Sequence, residues 1–447
     1  LRALSASPHK VNTLTSPSIS HALLDSARIS AYNVTRSCSK SSRAVPPTTE
    51  TDAPPRAGSA LSDEILERRR NGLGRGVGSA RSLGFRASGT CIKGRANMQD
   101  LPSVVVVGGG IAGLTAALNL AQRSVRVVLA ERDSTLGGRA LAVCCKAIDG
   151  RCQLCGGCLL HDRLRAAQNH RQISILLQAN LAGATRANGH FHLRWSPPIP
   201  NSAPCQADAI VLATGFDHID AHTKGPYGHG IIPNVVTGEE MERRLVSQGQ
   251  AAFDGSGLSR VAFIQCVGSR DEHVGRGYCS QVCCRYALRL ARLLRSRLPQ
   301  VEIAVFKMDI QTSGRDFAST WDAAAKEGIR LVAGLPAVIR RSSENPQRAT
   351  FIYDDILAGR LAQEDFDLIV LSVGMQPRRD AAEMAELFGI NRDHYGFFAT
   401  DQDQVRTLNP GVFVAGSCQA PRTMAESVAH AERAAEACYL YLQEKRS

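Results

Sequence analysis

No run of eighteen apolar residues occurs in the 447-residue chain, so nothing in it reads as a transmembrane helix. Aromatics are scarce, at 5%, and no basic patch is interleaved with them, which removes the usual signature of a nucleic-acid surface. No secretory signal precedes the 14 cysteines, and no complete C-x-x-C-x-x-C-x-x-x-C-P ferredoxin run is present among them. Reduced thiols, metal ligands or redox chemistry are therefore favoured over a disulfide framework. Methionine is missing until Met98, and the preceding stretch is rich in Ser, Arg, Pro and Gly, with Arg68-Arg69-Arg70 and little apolar periodicity. Such a composition buries too little apolar surface to offset ordering entropy. Residues 1–97 are read as a disordered leader: an organellar transit peptide, or translated upstream sequence before a start at Met98.

Setting that segment aside changes the charge argument. The chain carries 53 Lys and Arg against 41 Asp and Glu, but residues 1–97 hold 15 against 6, leaving 38 against 35. The body is nearly neutral, and no nucleic-acid partner is expected.

From Met98 the pattern is α/β. The run Val104-Val105-Val106-Val107 enters Gly108-Gly109-Gly110-Ile111-Ala112-Gly113, then a helix over 112–122, then a strand over 125–130 that ends in Glu131. This is a G-x-G-x-x-G turn between strand and helix with an acid at ribose distance, the pattern that binds a dinucleotide. Leu136-Gly137-Gly138-Arg139 resembles the second phosphate-and-flavin contact of FAD proteins related to glutathione reductase. Asp208 to Gly215, ending in Ala213-Thr214-Gly215, resembles the strand that passes the flavin nucleotide in the same proteins. Gly411 to Gly416 resembles their final FAD strand, packed on a helix over 424–442. A second β-α-β unit over about 259–375 lacks the glycine fingerprint. The expected organisation is two Rossmann-like dinucleotide-binding domains of the FAD/NAD(P)-binding, glutathione/thioredoxin reductase-like type. The FAD domain takes 98–220 and 376–447, a linker 221–258, and the second domain 259–375.

In place of the second fingerprint stands Ile264 to Cys284, IQCVGSRDEHVGRGYCSQVCC, with Cys266, Cys279, Cys283 and Cys284. Four thiolates can hold a cubane iron-sulfur cluster or a zinc ion. Spacings of 13, 4 and 1 match neither zinc ribbons nor ferredoxins, so cluster, zinc and disulfide all stand on spacing alone. A following helix N-terminus, with Arg270, Arg276 and Arg285, is expected to favour thiolate-ligated charge. A one-electron centre would also give a two-electron flavin an outlet for single electrons.

Other features leave alternatives open. Cys144-Cys145 and Cys152-x-x-Cys155-x-x-Cys158 fit a thiol pair near the flavin, ligands for a second metal centre, or small buried cysteines of no function. On the first of these readings Cys155 and Cys158 are candidate redox thiols, and Arg163 and Arg165 could lower their pKa. His218, His222 and His229 are read as a solvated loop, and Arg289, Arg292 and Arg295 as a solvated helix face or partner surface.

The runs VAFIQCVGSRDE and YCSQVCCRYAL, together with Pro233 to Thr237, Leu371 to Gly374 and Gly416 to Ala429, resemble the A-type component of heterodisulfide reductase. That resemblance implies a [4Fe-4S] cluster on Cys266, Cys279, Cys283 and Cys284. It also implies FAD contacts from Gly108, Gly110, Gly113, Glu131, Gly138, Arg139 and Gly416. The chain is similar to short forms in heterodisulfide-reductase-like complexes of sulfur oxidisers, or to flavin subunits of quinone-interacting complexes. It implies a cytoplasmic electron-transfer subunit, itself a homo-oligomer, with B- and C-type partner subunits, a lipoate-binding protein and an acceptor such as NAD. Ala420-Pro421-Arg422-Thr423 departs from the Gly-Pro-Lys-Asp of the long forms, which puts electron bifurcation in doubt. The rival expectations are a stand-alone NAD(P)H-dependent FAD disulfide reductase and a flavin-bearing scaffold.

Overall fold

Four consecutive valines favour an extended chain, because two heavy atoms on Cβ pack well on a pleated surface. In the computed structural model they form the strand Ser103–Val107, paired in parallel with Arg126–Ala130 on one side and Ala209–Leu212 on the other. Val412–Val414 and Ile173–Leu176 complete a five-stranded parallel sheet. The structure describes residues 101–196, 206–249, 257–311 and 317–447, all within the unit Cys91–Ser447. The expected leader, 1–97, lies outside the described residues.

Two helices cover one face of this sheet: α1 (Ile111–Gln122) and the long C-terminal helix Met424–Glu444. Leu114, Ala117, Leu120 and Ala121 of α1 share a core with Ala431, Ala434, Ala435 and Cys438. Small side chains on both helices let the backbones approach closely. After α2 (Leu159–Gln168), an antiparallel ribbon of Asn180–Ala187, His190–Ser196 and Gln206–Ala207 covers the other face, placing Phe191, Leu193 and Trp195 against Ile210 and Leu212.

The second sheet is also five-stranded and parallel, in the order Arg330–Ala333, Glu302–Lys307, Arg260–Val267, Leu368–Val373, Val235–Thr237. Its helices are α3 (Gly238–Gln248), α4 (Cys283–Arg297) and α5 (Phe317–Lys326). Met241, Leu245, Leu288, Ala291 and Leu294 form one core with Phe263. On the opposite face Phe306, Phe351, Tyr353 and Phe366 meet edge-on or stacked, with Phe351 and Phe366 5.1 Å apart. Two more helices finish the chain: the short α6 (Ala381–Leu387), then Met424–Glu444 as α7. Two Rossmann-like sheets are thus present, as the α/β pattern indicates.

Two local expectations change. Residues 221–258, expected as a linker, supply the edge strand Val235–Thr237 and the amphipathic α3 to the second sheet. A Thr237 capping box starts that helix, with Thr237 Oγ1 accepting from the Glu240 N–H at 3.2 Å. The arginines of α4 are not a solvated face. Arg292 pairs with Glu327, and Arg295 donates to the backbone carbonyls of Glu327 and Val301 at 2.9 and 2.8 Å.

Candidate functional site

A cavity of about 590 Å³ opens at the carboxyl ends of the strands of both sheets, the place where α/β folds take ligands. Gly108, Gly110, Glu131, Gly138, Arg139, Thr214 and Gly215 all line it. Gly108 adopts φ +109°, and a Cβ there would sit 2.4 Å from the Ala213 carbonyl oxygen. A Cβ on Gly110 would meet nothing within 4 Å. The turn therefore leaves open space where a ligand can approach the backbone. Gly110 is also the N-cap of α1, with no capping side chain and no acid in the first turn, so unpaired N–H groups and the positive end of the dipole face the cavity.

Gly113 and Gly416 do not line the cavity; they let elements touch. A Cβ on Gly113 would be 1.8 Å from the Gly108 carbonyl oxygen, and one on Gly416 2.6 Å from the Ala112 Cβ. Glu131 is 7% exposed, and its carboxylate accepts from the Gly109 N–H at 2.7 Å and the Asp133 N–H at 3.0 Å. It first holds the glycine turn, with lone pairs still free for a ribose hydroxyl. Arg139 is drawn sideways to Asp217 at 3.0 Å and Glu239 at 3.1 Å. The His218 ring, 2.5 Å from Glu239, does most to hold that carboxyl down to about 2.

The three histidines of the expected solvated loop each face a carboxylate: His218 with Glu239, His222 with Asp220, His229 with Glu240. His218 also lines the cavity. Sequence spacing carried no trace of these pairings, because their partners come largely from α3.

His430 of α7 carries no sequence signal of its own. Its Nδ1 accepts from the Gly416 N–H at 2.8 Å while its Nε2 donates to the Gln404 carbonyl at 2.7 Å, which fixes a neutral ring beneath the last sheet strand. Burial first, then Arg422, brings its pKa down to about 4. An unfolded histidine takes its proton near 6.5. The neutral ring's stabilisation is therefore complete above that pH and is lost as pH falls toward 4. Urea unfolding is expected to show a loss of roughly 2 kcal/mol between pH 7 and 5 that His430→Gln does not share.

The cysteine loop begins where the strand Arg260–Val267 loses register with Leu368–Val373, between Ile264 and Val267. Cys266, Arg270 and Gln281 take positive φ of 57°, 55° and 60°. Left-handed conformations at non-glycine residues are strained and concentrate at functional sites. Cys283 and Cys284 are buried on the first turn of α4. Burial, then the neighbouring Cys284 thiol, pushes Cys266 up to about 12. Cys283 is also raised, by burial and then by Cys266, Cys284 and Cys279. The four thiols thus lie within one another's fields. Among the described residues no three His, Cys, Asp or Glu side chains come together tightly enough to hold a single metal ion.

Of the three arginines expected beside these thiols, Arg270 acts on Cys266 and Cys279 and is paired with Asp309. Arg276 instead donates to the Gln376 side chain at 2.7 Å, and Arg285 lines the cavity. Tyr286 and Arg289 line it too. One helix therefore carries Cys283 and Cys284 and, a turn later, part of the cavity wall.

The Cys152–Cys158 loop docks on that same helix. Arg289 donates to the Leu154 carbonyl at 2.9 Å, and Arg292 to the Gln153 side chain at 2.7 Å. Cys155 lines the cavity, whereas Cys158 is exposed at the N-cap of α2 and does not. Arg163 and Arg165 turn away, to Thr115 at 2.8 Å and Asp162 at 2.7 Å, so Arg289 is the cation that feels Cys155. Among the described residues the cysteines are free thiols, and no helix is long and apolar enough to cross a membrane.

Two parallel sheets, a glycine turn with its acid, and a dinucleotide-sized cavity between their carboxyl ends define a flavoprotein of the two-dinucleotide-domain class. Residues 102–436 match the family model described as pyridine nucleotide-disulphide oxidoreductase, and the chain belongs to that family of flavin-dependent oxidoreductases. Curated relatives narrow the likeness. An A-type iron-sulfur component of the CoB–CoM heterodisulfide reductase of Methanopyrus kandleri is 29% identical over 418 residues, which is 74% of this chain and 63% of that one. The A-type component of the H(2)/formate:CoB-CoM heterodisulfide,ferredoxin reductase of Methanococcus maripaludis is 29% identical over 420 residues, 75% of this chain and 63% of that one. The protein is a flavoprotein similar to these A-type heterodisulfide reductase components, and it spans just under two thirds of their length. The thioredoxin reductase of T. acidophilum shares the fold, with a TM-score of 0.51 at 18% identity, covering 77% of this chain and 98% of that one.

Proposed function

We propose that this chain is the FAD- and [4Fe-4S]-carrying electron-transfer component of a cytoplasmic heterodisulfide-reductase-like complex in sulfur metabolism. The observation that carries the reading is the sharing of α4 between the four-thiol loop and the cavity. Cys266, Cys279, Cys283 and Cys284 would hold the cluster. Gly108, Gly110, Gly138, Arg139, Thr214, Gly215 and Glu131 would hold FAD, with Gly113 and Gly416 shaping its cradle. Bound FAD supplies two-electron exchange and a cluster single-electron exchange.

The donor set fits such a group. Cys266, Cys283 and Cys284, whose thiols burial holds above the usual cysteine range, become thiolates only when a cation shares their charge. B- and C-type partner subunits, a lipoate-binding protein, NAD as acceptor and a homo-oligomeric arrangement belong to this proposal. So does the division into an FAD domain and a second, cluster-bearing domain.

Anaerobic purification followed by visible spectroscopy, EPR and metal analysis tests the reading. Flavin absorbance with a reducible iron-sulfur signal is expected; flavin accompanied by stoichiometric zinc and no iron would overturn it.

A second reading, a stand-alone NAD(P)H-dependent disulfide reductase, is favoured by one observation, the Cys155 thiol in the cavity wall. It requires disulfide turnover without partners, abolished by Cys155→Ser or Cys158→Ser and retained by Cys279→Ser.

A further inference from the structure

Lys146 is 2% exposed, and among the described residues it is the one buried lysine. Its ammonium is ion-paired with Glu242, itself 8% exposed, and donates to the Cys144 carbonyl at 3.2 Å. The Cys144 sulfur lies 3.7 Å from the same nitrogen. The other Glu242 oxygen accepts from the Cys144 N–H at 2.9 Å, so each charge has a second partner. Both side chains line the cavity. Lys146 follows the FAD-side glycine turn, whereas Glu242 belongs to α3 on the second sheet.

Burying an ion pair costs several kcal/mol in desolvation, and well-packed apolar residues are often as stable in its place. A buried pair in a cavity wall is therefore a candidate for function rather than for stability. The other cations lining the cavity are less deeply buried: the Arg132 and Arg139 side chains are 44% and 40% exposed, that of Arg378 is 12% exposed and paired with Asp380, and Arg422 is half-buried and reaches the Gly416 and Ala420 carbonyls at 3.5 and 3.3 Å. Charge acts most strongly where water is excluded, which singles out Lys146.

We propose that the Lys146–Glu242 pair sets the reduction potential of the flavin bound in this cavity, the ammonium favouring the electron-rich reduced ring and the carboxylate limiting that effect. This rests on the flavin reading above. Lys146 and Glu242 act as potential-setting residues, with Cys144 as the positioning residue that clamps both through its backbone.

The test is a spectroelectrochemical titration of flavin in the purified protein, wild type against Lys146→Met, Lys146→Arg and Glu242→Gln. Lys146→Met leaves Glu242 unopposed. It is expected to shift the oxidised-to-reduced ratio at a given potential ten- to hundred-fold toward oxidised, about 30 to 60 mV for a two-electron couple. Glu242→Gln leaves the ammonium unopposed and is expected to move the ratio the opposite way, while Lys146→Arg stays near wild type. Opposite signs are the discriminating result, because a pair that merely ties the two sheets together would shift both variants alike or neither. Shifts of the same sign, or none as large as twofold, would overturn the proposal. If Lys146→Met does not fold, as judged by circular dichroism, Glu242→Gln decides alone: a ratio moved at least twofold toward reduced, with Lys146→Arg near wild type, supports the proposal, and a smaller shift or one toward oxidised overturns it. A wild-type protein that binds no flavin would instead defeat the flavin reading.

Discussion

Cys283→Ser is expected to abolish the iron-sulfur absorbance and EPR signal while the flavin stays bound. Cys283 sits at 5% exposure on the first turn of α4, packed beneath the strand that ends at Val373. Serine matches its volume closely, so the fold survives the exchange. A hydroxyl, however, does not ionise to a ligand at neutral pH, and one of the four thiolates that a cubane takes is removed. Iron content is expected to fall at least tenfold. Cys418→Ser is the control, since that thiol is equally buried but is turned to the Leu212 and Ala415 carbonyls at 3.3 Å. Full iron and an unchanged spectrum in Cys283→Ser would remove it from the ligand set and, with it, the cluster assignment.

Gly113→Ala is expected to cost about 3 kcal/mol of stability and to release the flavin, whereas Gly110→Ala is expected to fold normally and lose flavin affinity alone. At Gly113 the added carbon would sit 1.8 Å from the Gly108 carbonyl oxygen and 3.0 Å from its carbon. These are backbone atoms, which no side-chain rotation can clear. Either α1 is pushed off the sheet, or the glycine turn deforms and the N–H groups facing the cavity lose their aim. Gly110 has φ −75° and open space where its Cβ would be. An alanine there strains nothing and only occupies room meant for a ligand. Thermal melts and flavin occupancy measured on the two variants separate these roles. Equal melting temperatures for Gly113→Ala and wild type would contradict the close contact.

Much of the fold was legible because its signals are local. A strand, a glycine turn, a helix and an acid within thirty residues are linked by backbone sterics and hydrogen bonding, which residue spacing encodes directly. The cysteine loop was legible for the same reason, since Cys266 falls at a strand end, Cys283 and Cys284 on the first turn of a helix, and Cys279 in the turn between them. Charge pairing was not. Arg289, Arg292 and Arg295 read as solvated because their partners, from the Cys152–Cys158 loop and from Glu327 and Val301, lie on other elements. Arg163 and Arg165 stand close to Cys158 in sequence yet turn away from the cysteines, while Arg289, far along the chain, lies beside them.

What the amino-acid sequence determined by itself, then, was the pair of Rossmann-like units, the glycine cradle and the placing of four cysteines where a second cradle would be, since each follows from short-range spacing and backbone preference. Only the tertiary structure decided which glycines open space and which permit contact, because that depends on atoms from another element. It alone joined Lys146 to Glu242 and set Tyr286 in the cavity wall one turn beyond Cys283. The physical reason is range: a dihedral preference acts within a few residues, whereas desolvation and ion pairing depend on distances that exist only after the sheets have packed.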